Sequence, residues 1–354
     1  GARYEPSIWY WIDASGRVTV NIIRAEMGQH VGMSIARILA DELGAKWEDV
    51  HITHVDSAAK WGLMVTGGSW SVWQSWPVYR QAGAAGRVAL TEKAAALWGI
   101  DPADVTISGG VVSGRGRTAG FGELIAAGLT RSFSEDELKA LPLKPHGELT
   151  LVGKDVTALD IAGKTTGQAI FGIDAKIEGM LHATPILPPT RYGSQIVRID
   201  DSAAKAVKGY RETLKLEDPS GTVQGWAMVI ATSHWAASKA AAKVKVEWNT
   251  GAAARVSEDD IQDRARALIA DESQGALLDT GDHDVDRVFE TAADTVAAEY
   301  TTSTVLHFQL EPLNALAFRN AQGVWEIHTG NQWQSLALPW LQKVILGIGS
   351  LIVI

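Results

Sequence analysis

Residues 26–83 read EMGQHVGMSIARILADELGAKWEDVHITHVDSAAKWGLMVTGGSWSVWQSWPVYRQAG, and the rest of the chain is interpreted outward from this stretch. A polar loop at 26–30 leads into an amphipathic helix predicted over 31–43. After a strand predicted over 50–55, a second glycine-containing loop at 66–71 leads into another helix. Helix N-termini carry unpaired backbone N–H groups and the positive end of the helix dipole. Two such loops facing one point would form an anion-binding cradle.

The second loop, Gly67-Gly68-Ser69, also has an ordinary interpretation. Glycine and serine before a helix are typical of a turn in which the serine caps the first helical turn. On spacing alone this turn is favoured over an anion site, because most such loops bind nothing.

Three runs of the sequence resemble a segment of the molybdenum hydroxylases, the xanthine dehydrogenase and aldehyde oxidase family. They are EMGQHVGMSIARILADELG at 26–44, VHITHVDS at 50–57 and TGGSWSVWQSWPVYRQAGAAGR at 66–87. The runs are most similar to the molybdopterin-binding large subunit of the isoquinoline 1-oxidoreductase type. The resemblance implies that the first loop lies against the metal and its dithiolene, and that the second loop lies near the pterin or its pyrophosphate.

The resemblance also implies which residues bind the cofactor. His30 and Trp70 depart from the family pattern, since many relatives have glycine at the first position and a smaller or basic residue at the second. The implied cofactor-binding residues are Gly28, Gln29, His30, Gly67, Gly68, Ser69, Trp70, Ser71 and Gln332. The resemblance names no metal ligand in this chain.

Two features near the end of the chain correspond to further family motifs. Asn331-Gln332 resembles the pair whose glutamine approaches the oxo-molybdenum centre, although Gln332 could instead cap a helix predicted over 335–346. Leu310-Glu311-Pro312 resembles a stretch that makes Glu311 a candidate for the substrate channel. Glu311 could also be a structural carboxylate paired with a nearby arginine.

The implied fold is a mixed α/β (α+β) arrangement: a circularly permuted portion of a molybdenum-hydroxylase large subunit with an inserted α/β hammerhead domain. The predicted divisions are a permuted cofactor-binding segment at 1–131, a linker at 132–150, the hammerhead domain at 151–290 and the start of a strand-rich cofactor-binding domain at 291–354. The last part is expected to pack on the first.

Local patterns predict further elements outside the two loops. They are strands over 7–13 and 17–24, a helical region over 72–98 interrupted at Pro77 and Gly83, a glycine loop over 114–122, a strand over 171–174, a β-α-β run over 227–248, strands over 295–302 and 305–309, and a helix over 335–346.

Two motifs that the family uses for catalysis are missing from this sequence. The GGGFG loop should begin near residue 354, and the general-base glutamate of a later Gly-Glu motif is also missing. We therefore expect a fragment or one half of a split subunit, and no catalytic residue is named.

Composition limits the classes of partner and chemistry. The net charge of −9 argues against nucleic-acid binding, which needs a basic face. The absence of cysteine excludes disulfides, cysteine-bound iron–sulfur clusters and thiolate catalysis within this chain. No run of the sequence is long and apolar enough for a transmembrane helix. Fourteen tryptophans are many, and they indicate a packed core or an interface more than a sugar-binding face.

Two functions follow as hypotheses. In the first, the chain holds a molybdenum–molybdopterin cofactor, in its cytosine dinucleotide form, for hydroxylation of an aldehyde or an N-heteroaromatic ring with oxygen from water. The implied partners are the C-terminal remainder of the large subunit, a small 2Fe–2S subunit or domain and a cytochrome c acceptor. The implied location is the bacterial periplasm, with the cytoplasm as the alternative. In the second hypothesis, the chain is a non-catalytic, tryptophan-rich binding or assembly module on the same fold, for example one that binds carbohydrate.

Overall fold

The structure is a computed structural model of the chain, and it describes residues 2–190, 192–216, 224–271, 273–275, 284–305, 310–344 and 351–353. The chain forms two compact units, Gly1–Ala175 with Gln309–Ile354 and Lys176–Phe308. Within the described residues, no helix combines the length and the apolar character needed to cross a bilayer.

The first unit is built on a four-stranded sheet and two long helices. Its strands are β1 (Arg3–Ser7), β2 (Tyr10–Asp13), β3 (Val18–Ile22) and β4 (Val50–His54), and its helices are α1 (Val31–Leu43) and α2 (Ser71–Trp98). The strands follow the order β1-β2-β3-β4, and only β3 and β4 run parallel. The single strand predicted over 7–13 is wrong, because a tight turn at 8–9 divides β1 from β2. Asn21 of β3 holds this turn, since its Nδ2 donates to Ile8 O at 2.7 Å.

Helix α2 runs unbroken from Ser71 to Trp98, so the predicted interruptions at Pro77 and Gly83 are wrong. Proline removes one helical hydrogen bond but did not stop this helix. Gly83 is a position of close helix contact: a Cβ there would lie 2.6 Å from Leu39 O of α1. The helix therefore continues through the glycine because α1 packs directly on its backbone.

Smaller elements complete this part of the first unit. They are β5 (Val105–Ser108), β6 (Val111–Gly114), β7 (Arg117–Gly120), α3 (Phe121–Ala126), α4 (Glu135–Ala140) and α5 (Ile161–Thr165). Strands β5, β6 and β7 form an antiparallel sheet. The loop predicted over 114–122 is wrong, because Arg115 and Gly116 turn with positive φ angles of 44° and 79° and start β7.

Residues 131–152, here called the strap, run across the C-terminal end of α1. The backbone N–H groups of Thr150, Leu151 and Val152 donate to the Asp41 carboxylate at 2.8–2.9 Å. Lys144 N donates to Glu42 Oε1 at 2.8 Å. These bonds attach the strap to the C-terminal end of α1 within the first unit.

The second unit contains two small antiparallel sheets. Its elements are β8 (His182–Ile186), β9 (Gln195–Asp200), β10 (Tyr210–Lys215), β11 (Ala227–Ala231), α6 (His234–Ala241), β12 (Lys245–Asn249), α7 (Glu258–Ile269) and α8 (Val285–Thr291). The sheets have the orders β10-β11-β8 and β12-β9. The β-α-β run predicted over 227–248 is present as elements, but its two strands belong to different sheets.

The strand predicted over 295–302 is wrong, since these residues have no regular secondary structure. Val296 is 93% exposed, and no strand of the described residues pairs with this segment. An alternating pattern forms a strand only where a neighbour completes its hydrogen bonds. Most of the strand predicted over 305–309 lies outside the described residues.

The first unit ends with β13 (Ala315–Arg319), β14 (Trp325–Thr329), α9 (Gln334–Val344) and β15 (Leu351–Val353). The strands form one sheet of order β13-β14-β15, in which β14 and β15 are parallel. Within the described residues, the helix predicted over 335–346 is confirmed as α9. The strand predicted over 171–174 is wrong, because Gly172–Asp174 form a 3-10 turn beside this sheet.

Candidate functional site

The first loop is closed by a carboxylate of its own. Glu26 Oε1 accepts hydrogen bonds from the backbone N–H groups of Gly28 and His30, each at 2.9 Å. Its Oε2 accepts a longer bond from Gly32 N at 3.4 Å. These N–H groups lie at the start of α1, where the helix dipole stabilises negative charge. The anion at the N-terminus of α1 is therefore the side chain of Glu26.

Gln29 and His30 occupy special positions in the same loop. Gln29 Nε2 donates to Ala25 O at 2.9 Å, and its Oε1 accepts from Met27 N at 2.7 Å. His30 has a φ of +59°, a left-handed conformation that costs a non-glycine residue about 1 kcal/mol. The His30 Nε2 atom lies 4.0 Å from Asp160 Oδ1. The loop thus bonds the Gln29 amide to its own backbone and places the His30 ring beside Asp160.

The second loop turns through two consecutive left-handed residues. Gly68 and Ser69 have φ angles of +61° and +59°. A Cβ on Gly68 would lie 3.3 Å from the Trp70 ring, so the indole covers this glycine. Helix α2 then begins with Trp70 at its N-cap, without a side-chain hydrogen bond to its first turn and without an acidic residue there. The interpretation of this loop as a serine-capped turn is therefore wrong.

Thr66 joins the two loops to the last part of the unit. Its Oγ1 accepts a hydrogen bond from Ala25 N at 2.7 Å. Its backbone N–H donates to Gln332 O at 2.6 Å, and Gln332 Nε2 donates back to Thr66 O at 2.9 Å. Ser335 Oγ donates to Met64 O at 3.2 Å. Gln332, 266 residues distant in sequence, is thereby fixed against the second loop.

A buried cation lies beneath the second loop. Arg24 is 6% exposed; its guanidinium donates to Val65 O at 2.5 Å and to Gln74 Oε1 at 3.3 Å, and its Nε has no partner. No carboxylate in the described part of the chain pairs with it. Burial lowers the pKa of Arg24, and the Tyr79 phenol opposes that shift to a smaller extent. The positive charge next to the second loop therefore has no carboxylate counter-ion among the residues that the structure describes.

The two loops and Gln332 line an open pocket of about 280 Å³. Its lining residues are Met27, Gln29, Val31, Ser34, Thr66, Gly67, Ser69, Ser71, Val72 and Gln332. Five of the predicted cofactor-binding residues line it: Gln29, Gly67, Ser69, Ser71 and Gln332. Gly28, His30, Gly68 and Trp70 belong to the same loops but do not line the pocket. A larger pocket, of about 770 Å³, lies elsewhere in this unit. The site between the loops is therefore identified by the residues that line it and not by its volume.

Glu311 lies elsewhere in the first unit. Its Oε1 accepts a hydrogen bond from Gly172 N at 3.0 Å, and it does not line the pocket between the loops. Its partner in the structure is this backbone N–H group, while Asn314 of the same stretch packs on Gly172.

Sequence reasoning missed Glu26, Thr66 and Arg24 as parts of the site. Glu26 carried a usable signal, because an acidic residue just before a helix is stabilised by the helix dipole. Arg24 bonds to Val65, and Thr66 bonds to Ala25; each pair is 41 residues apart in sequence. The spacing of residues within one loop does not indicate such contacts.

Comparison with known proteins identifies relatives of this sequence. Residues 3–157 match the family described as the molybdopterin cofactor-binding domain. A membrane-bound aldehyde dehydrogenase (pyrroloquinoline-quinone) of Gluconacetobacter polyoxogenes is 52% identical over 342 residues, which cover 96% of this chain and 44% of that protein.

Two more distant relatives are single subunits of larger enzymes by name. The beta subunit of isoquinoline 1-oxidoreductase of Brevundimonas diminuta is 26% identical, with 95% of this chain and 48% of that protein covered. The B subunit of nicotinate dehydrogenase of Pseudomonas putida is 28% identical, with 95% of this chain and 28% of that protein covered. The chain thus spans less than half the length of these relatives. The resemblance of this chain to the molybdopterin-binding large subunits of the molybdenum hydroxylases is confirmed by these matches.

Proposed function

We propose that this chain is the cofactor-holding part of a molybdenum hydroxylase that oxidises an aldehyde or an N-heteroaromatic compound. The reaction is R–H + H₂O → R–OH + 2 H⁺ + 2 e⁻, and the electrons pass to an iron–sulfur partner. The observation that carries the proposal is the convergence of both loops and Gln332 on one pocket. The names of the relatives supply the substrate classes: an aldehyde, isoquinoline and nicotinate.

The residues at the pocket fit a planar group rich in hydrogen-bonding atoms, such as a pterin. No heavy atom lies within 4 Å of a Cβ built on Gly28 or Gly67, so a ligand can approach the backbone closely there. A primary amide has two N–H donors and an oxygen acceptor, so Gln29 and Gln332 keep hydrogen-bonding capacity beyond their bonds within the protein. When bound, the molybdenum–pterin group supplies the two-electron acceptor and transfers oxygen that comes from water. Gln29, Gln332 and the second loop would hold and orient it.

The finer assignments are also proposals. We propose the cytosine dinucleotide form of the cofactor, and electron transfer through a small 2Fe–2S subunit or domain to a cytochrome c. Two of the relatives are named as single subunits, which supports a multi-subunit enzyme. The general base would lie in the remainder of the large subunit, with residues 151–290 as the hammerhead domain of a permuted fold. We propose a periplasmic location and Glu311 as part of the substrate channel.

A second candidate cofactor is pyrroloquinoline quinone, because the relative at 52% identity carries it in its name. This quinone is also planar and anionic, so the pocket alone does not discriminate between the two. The carbohydrate-binding alternative has less support. Trp47 and Trp61 are each only 7% exposed, and Trp9 packs against Trp61 and Tyr79, which is how core tryptophans behave.

The deciding experiment is chemical analysis of protein purified from its own host. Molybdenum is measured by elemental mass spectrometry, and the organic cofactor is released by denaturation and identified as a pterin or a quinone. Close to one molybdenum per protein with a pterin is the expected result. A quinone without molybdenum would replace the proposal with the second candidate, and neither group would leave the carbohydrate hypothesis to be tested.

Variants connect the cofactor content to the pocket. Gln332→Ala removes the side chain that lines the pocket and bonds to Thr66, so we expect severalfold less molybdenum per protein. Gln322→Ala, in an exposed turn of the same unit, is the matched control and should retain the wild-type content.

A further inference from the structure

Residues 293–305, here called the open segment, have the composition of a β-strand but no strand beside them. Seven of the eleven residues at 295–305 are β-branched or aromatic, and Glu299 is the only charged one. In the part of the chain that the structure describes, no hydrogen bond reaches a backbone N–H or C=O group of 293–301. Tyr300 is 91% exposed, and Val296 and Val305 are exposed as well. The open segment therefore offers both backbone groups and apolar side chains to a neighbour.

Helix α7 holds one side of the open segment through polar contacts. Arg266 Nε donates to Glu299 Oε1 at 3.4 Å, and Gln262 Nε2 donates to Thr302 O at 3.0 Å. These contacts use few of the hydrogen-bonding groups of the segment. They fix its position against α7 without completing a sheet.

The apolar side chains of the open segment stand at alternate positions. In a strand, Val296, Ala298 and Tyr300 would share one face, and Glu299 would lie on the opposite face, toward α7. Helix α7 itself carries three exposed large apolar side chains, those of Ile261, Leu268 and Ile269. Apolar side chains exposed on neighbouring elements are typical of an interaction surface.

The charge of this region restricts the partner. Residues 251–300 contain 13 acidic and four basic side chains, so their charge of −9 equals the net charge of the whole chain. Two copies of such an acidic surface would repel each other. A partner with basic side chains is therefore favoured over a second copy of this chain.

We infer that the open segment becomes a strand by pairing with an edge strand, flanked by basic side chains, of the part of the large subunit that this chain does not contain. Only 44% and 48% of two of the relatives are covered by this chain, so more than half of each lies outside the match. Strand addition pairs the backbone groups and buries alternate side chains. The inference rests on the proposed function, under which the rest of a large subunit accompanies this chain.

The first test compares amide hydrogen exchange in the enzyme purified from its own host with exchange in this chain produced alone. In the native enzyme, the amides at 294–302 should exchange at least about tenfold more slowly than in the chain alone. The internal control is β11, which is paired with β10 and β8 within this chain and should exchange equally slowly in both preparations.

Two variants test the alternating face. Tyr300→Asp and Thr301→Asp place the same charge at neighbouring exposed positions, but only Tyr300 belongs to the apolar face. In the chain alone, both variants should keep the wild-type melting temperature, because neither side chain is packed. In the native enzyme, Tyr300→Asp should remove most of the protection at 294–302, and Thr301→Asp should retain it.

A cross-link identifies the partner. Because the chain has no cysteine, Ser303→Cys introduces its only thiol, and a short thiol-to-amine reagent then joins it to a nearby lysine. Peptide mapping of the native enzyme should find that lysine in the large subunit, outside the 354 residues of this chain. The wild type treated in the same way is the control.

Four results would overturn the inference. Equal exchange at 294–302 in the two preparations would show that nothing pairs with the segment. Protection that develops in the chain alone as its concentration rises would assign the surface to a second copy. Equal effects of Tyr300→Asp and Thr301→Asp would show that no alternating face is buried, and a cross-link to another subunit would replace the partner. None of these measurements depends on molybdenum, so analysis of the cofactor decides the proposed function separately.

Discussion

Helix α1 has a polar cluster at each end, and the two clusters are built in different ways. At the N-terminal end, Glu26 is half-buried and bonds only to backbone groups two to six residues further along the chain. At the C-terminal end, Asp41 and Glu42 are 1% and 0% exposed, and their partners lie 38 to 111 residues away. One cluster shapes a loop, whereas the other joins distant elements.

The C-terminal cluster is saturated by the protein. Glu42 Oε2 lies 2.8 Å from Arg80 Nη2, and Glu42 Oε1 lies 2.9 Å from Arg87 Nη2. Both arginines come from α2, and Lys144 of the strap adds a backbone N–H to the same carboxylate. Such a cluster leaves no group for a ligand, and it holds α1, α2 and the strap together.

The difference shows how one helix can combine rigidity with a binding site. A buried carboxylate is tolerated only when cations and hydrogen bonds compensate its lost hydration. The Asp41–Glu42 end meets that requirement with fixed, long-range partners. The Glu26 end meets it locally, so the loop keeps its shape while the neighbouring pocket stays open to solvent.

The largest effect should come from breaking the C-terminal cluster. Glu42→Ala leaves Arg80 and Arg87 without their buried counter-ion, so we expect the free energy of unfolding to fall by about 3–5 kcal/mol. Urea unfolding followed by circular dichroism measures this value. Glu26→Ala removes a cap-like interaction and should cost only about 1 kcal/mol.

Glu92→Ala is the matched control for Glu42→Ala. Glu92 lies on α2 and pairs with Arg131 at 3.3 Å, but the pair is largely exposed and should contribute less than about 1 kcal/mol. Equal destabilisation by Glu42→Ala and Glu92→Ala would contradict the distinction between a saturated buried cluster and a surface pair.

The next effect should come from the helix crossing that supports both ends. A Cβ at position 83 would lie 2.6 Å from Leu39 O and 2.9 Å from Glu42 Cβ. Gly83→Ala should therefore destabilise the fold by about 1–3 kcal/mol, although alanine is the better helix former. Thermal unfolding measures the change. Gly120→Ala, where no atom lies within 4 Å of the added Cβ, should shift the melting temperature much less.

The sequence predicted those parts of the site that depend on local signals. Helix α1 was predicted over 31–43 and is observed over Val31–Leu43, because its apolar period ends at Gly44, which adopts a left-handed φ of +80°. The two loops could also be predicted from the sequence, because glycine residues before a helix are a local signal. Gln332 was connected to the pocket by a resemblance, since spacing gives no measure of a contact across 266 residues.

Other parts depend on contacts that the sequence does not display. The sequence indicates Glu26 only as the first residue of a loop. Its role as an acceptor of backbone hydrogen bonds depends on how the loop folds back toward it. The sequence predicts Ser69 as the N-cap of α2. In the structure Ser69 has a left-handed backbone conformation, and the N-cap residue is Trp70. The strand expected over 295–302 needs a neighbouring strand, and none of the described residues provides one.

A smaller effect is expected from the strained residue of the first loop. His30 has a φ of +59°, a conformation that glycine adopts freely and a β-branched residue adopts poorly. His30→Val should lower the free energy of unfolding by about 1–2 kcal/mol, whereas His30→Gly should change it by less than about 0.5 kcal/mol. Urea unfolding of both variants separates backbone strain from the loss of the imidazole near Asp160. Equal losses in the two variants would show that the imidazole contact, which both variants remove, dominates over backbone strain.

The smallest effect should come from the exposed end of the strap, where Arg131 pairs with Glu137 at 2.7 Å. The side-chain hydrogen bond from Arg131, helped by bonds from Ser134, lowers the pKa of Glu137 to about 2 from an ordinary value of 4.5. A depressed carboxyl pKa stabilises the fold above the unfolded value, and this contribution disappears as the pH falls through the folded value. The melting temperature of the wild type should therefore exceed that of Glu137→Gln by a constant small amount above about pH 5. The gap should close between pH 4.5 and pH 2. Because both side chains are largely exposed, added salt should reduce this difference in melting temperature. A difference that persists unchanged at low pH would show that it comes from the capping geometry at Ser134 and not from charge.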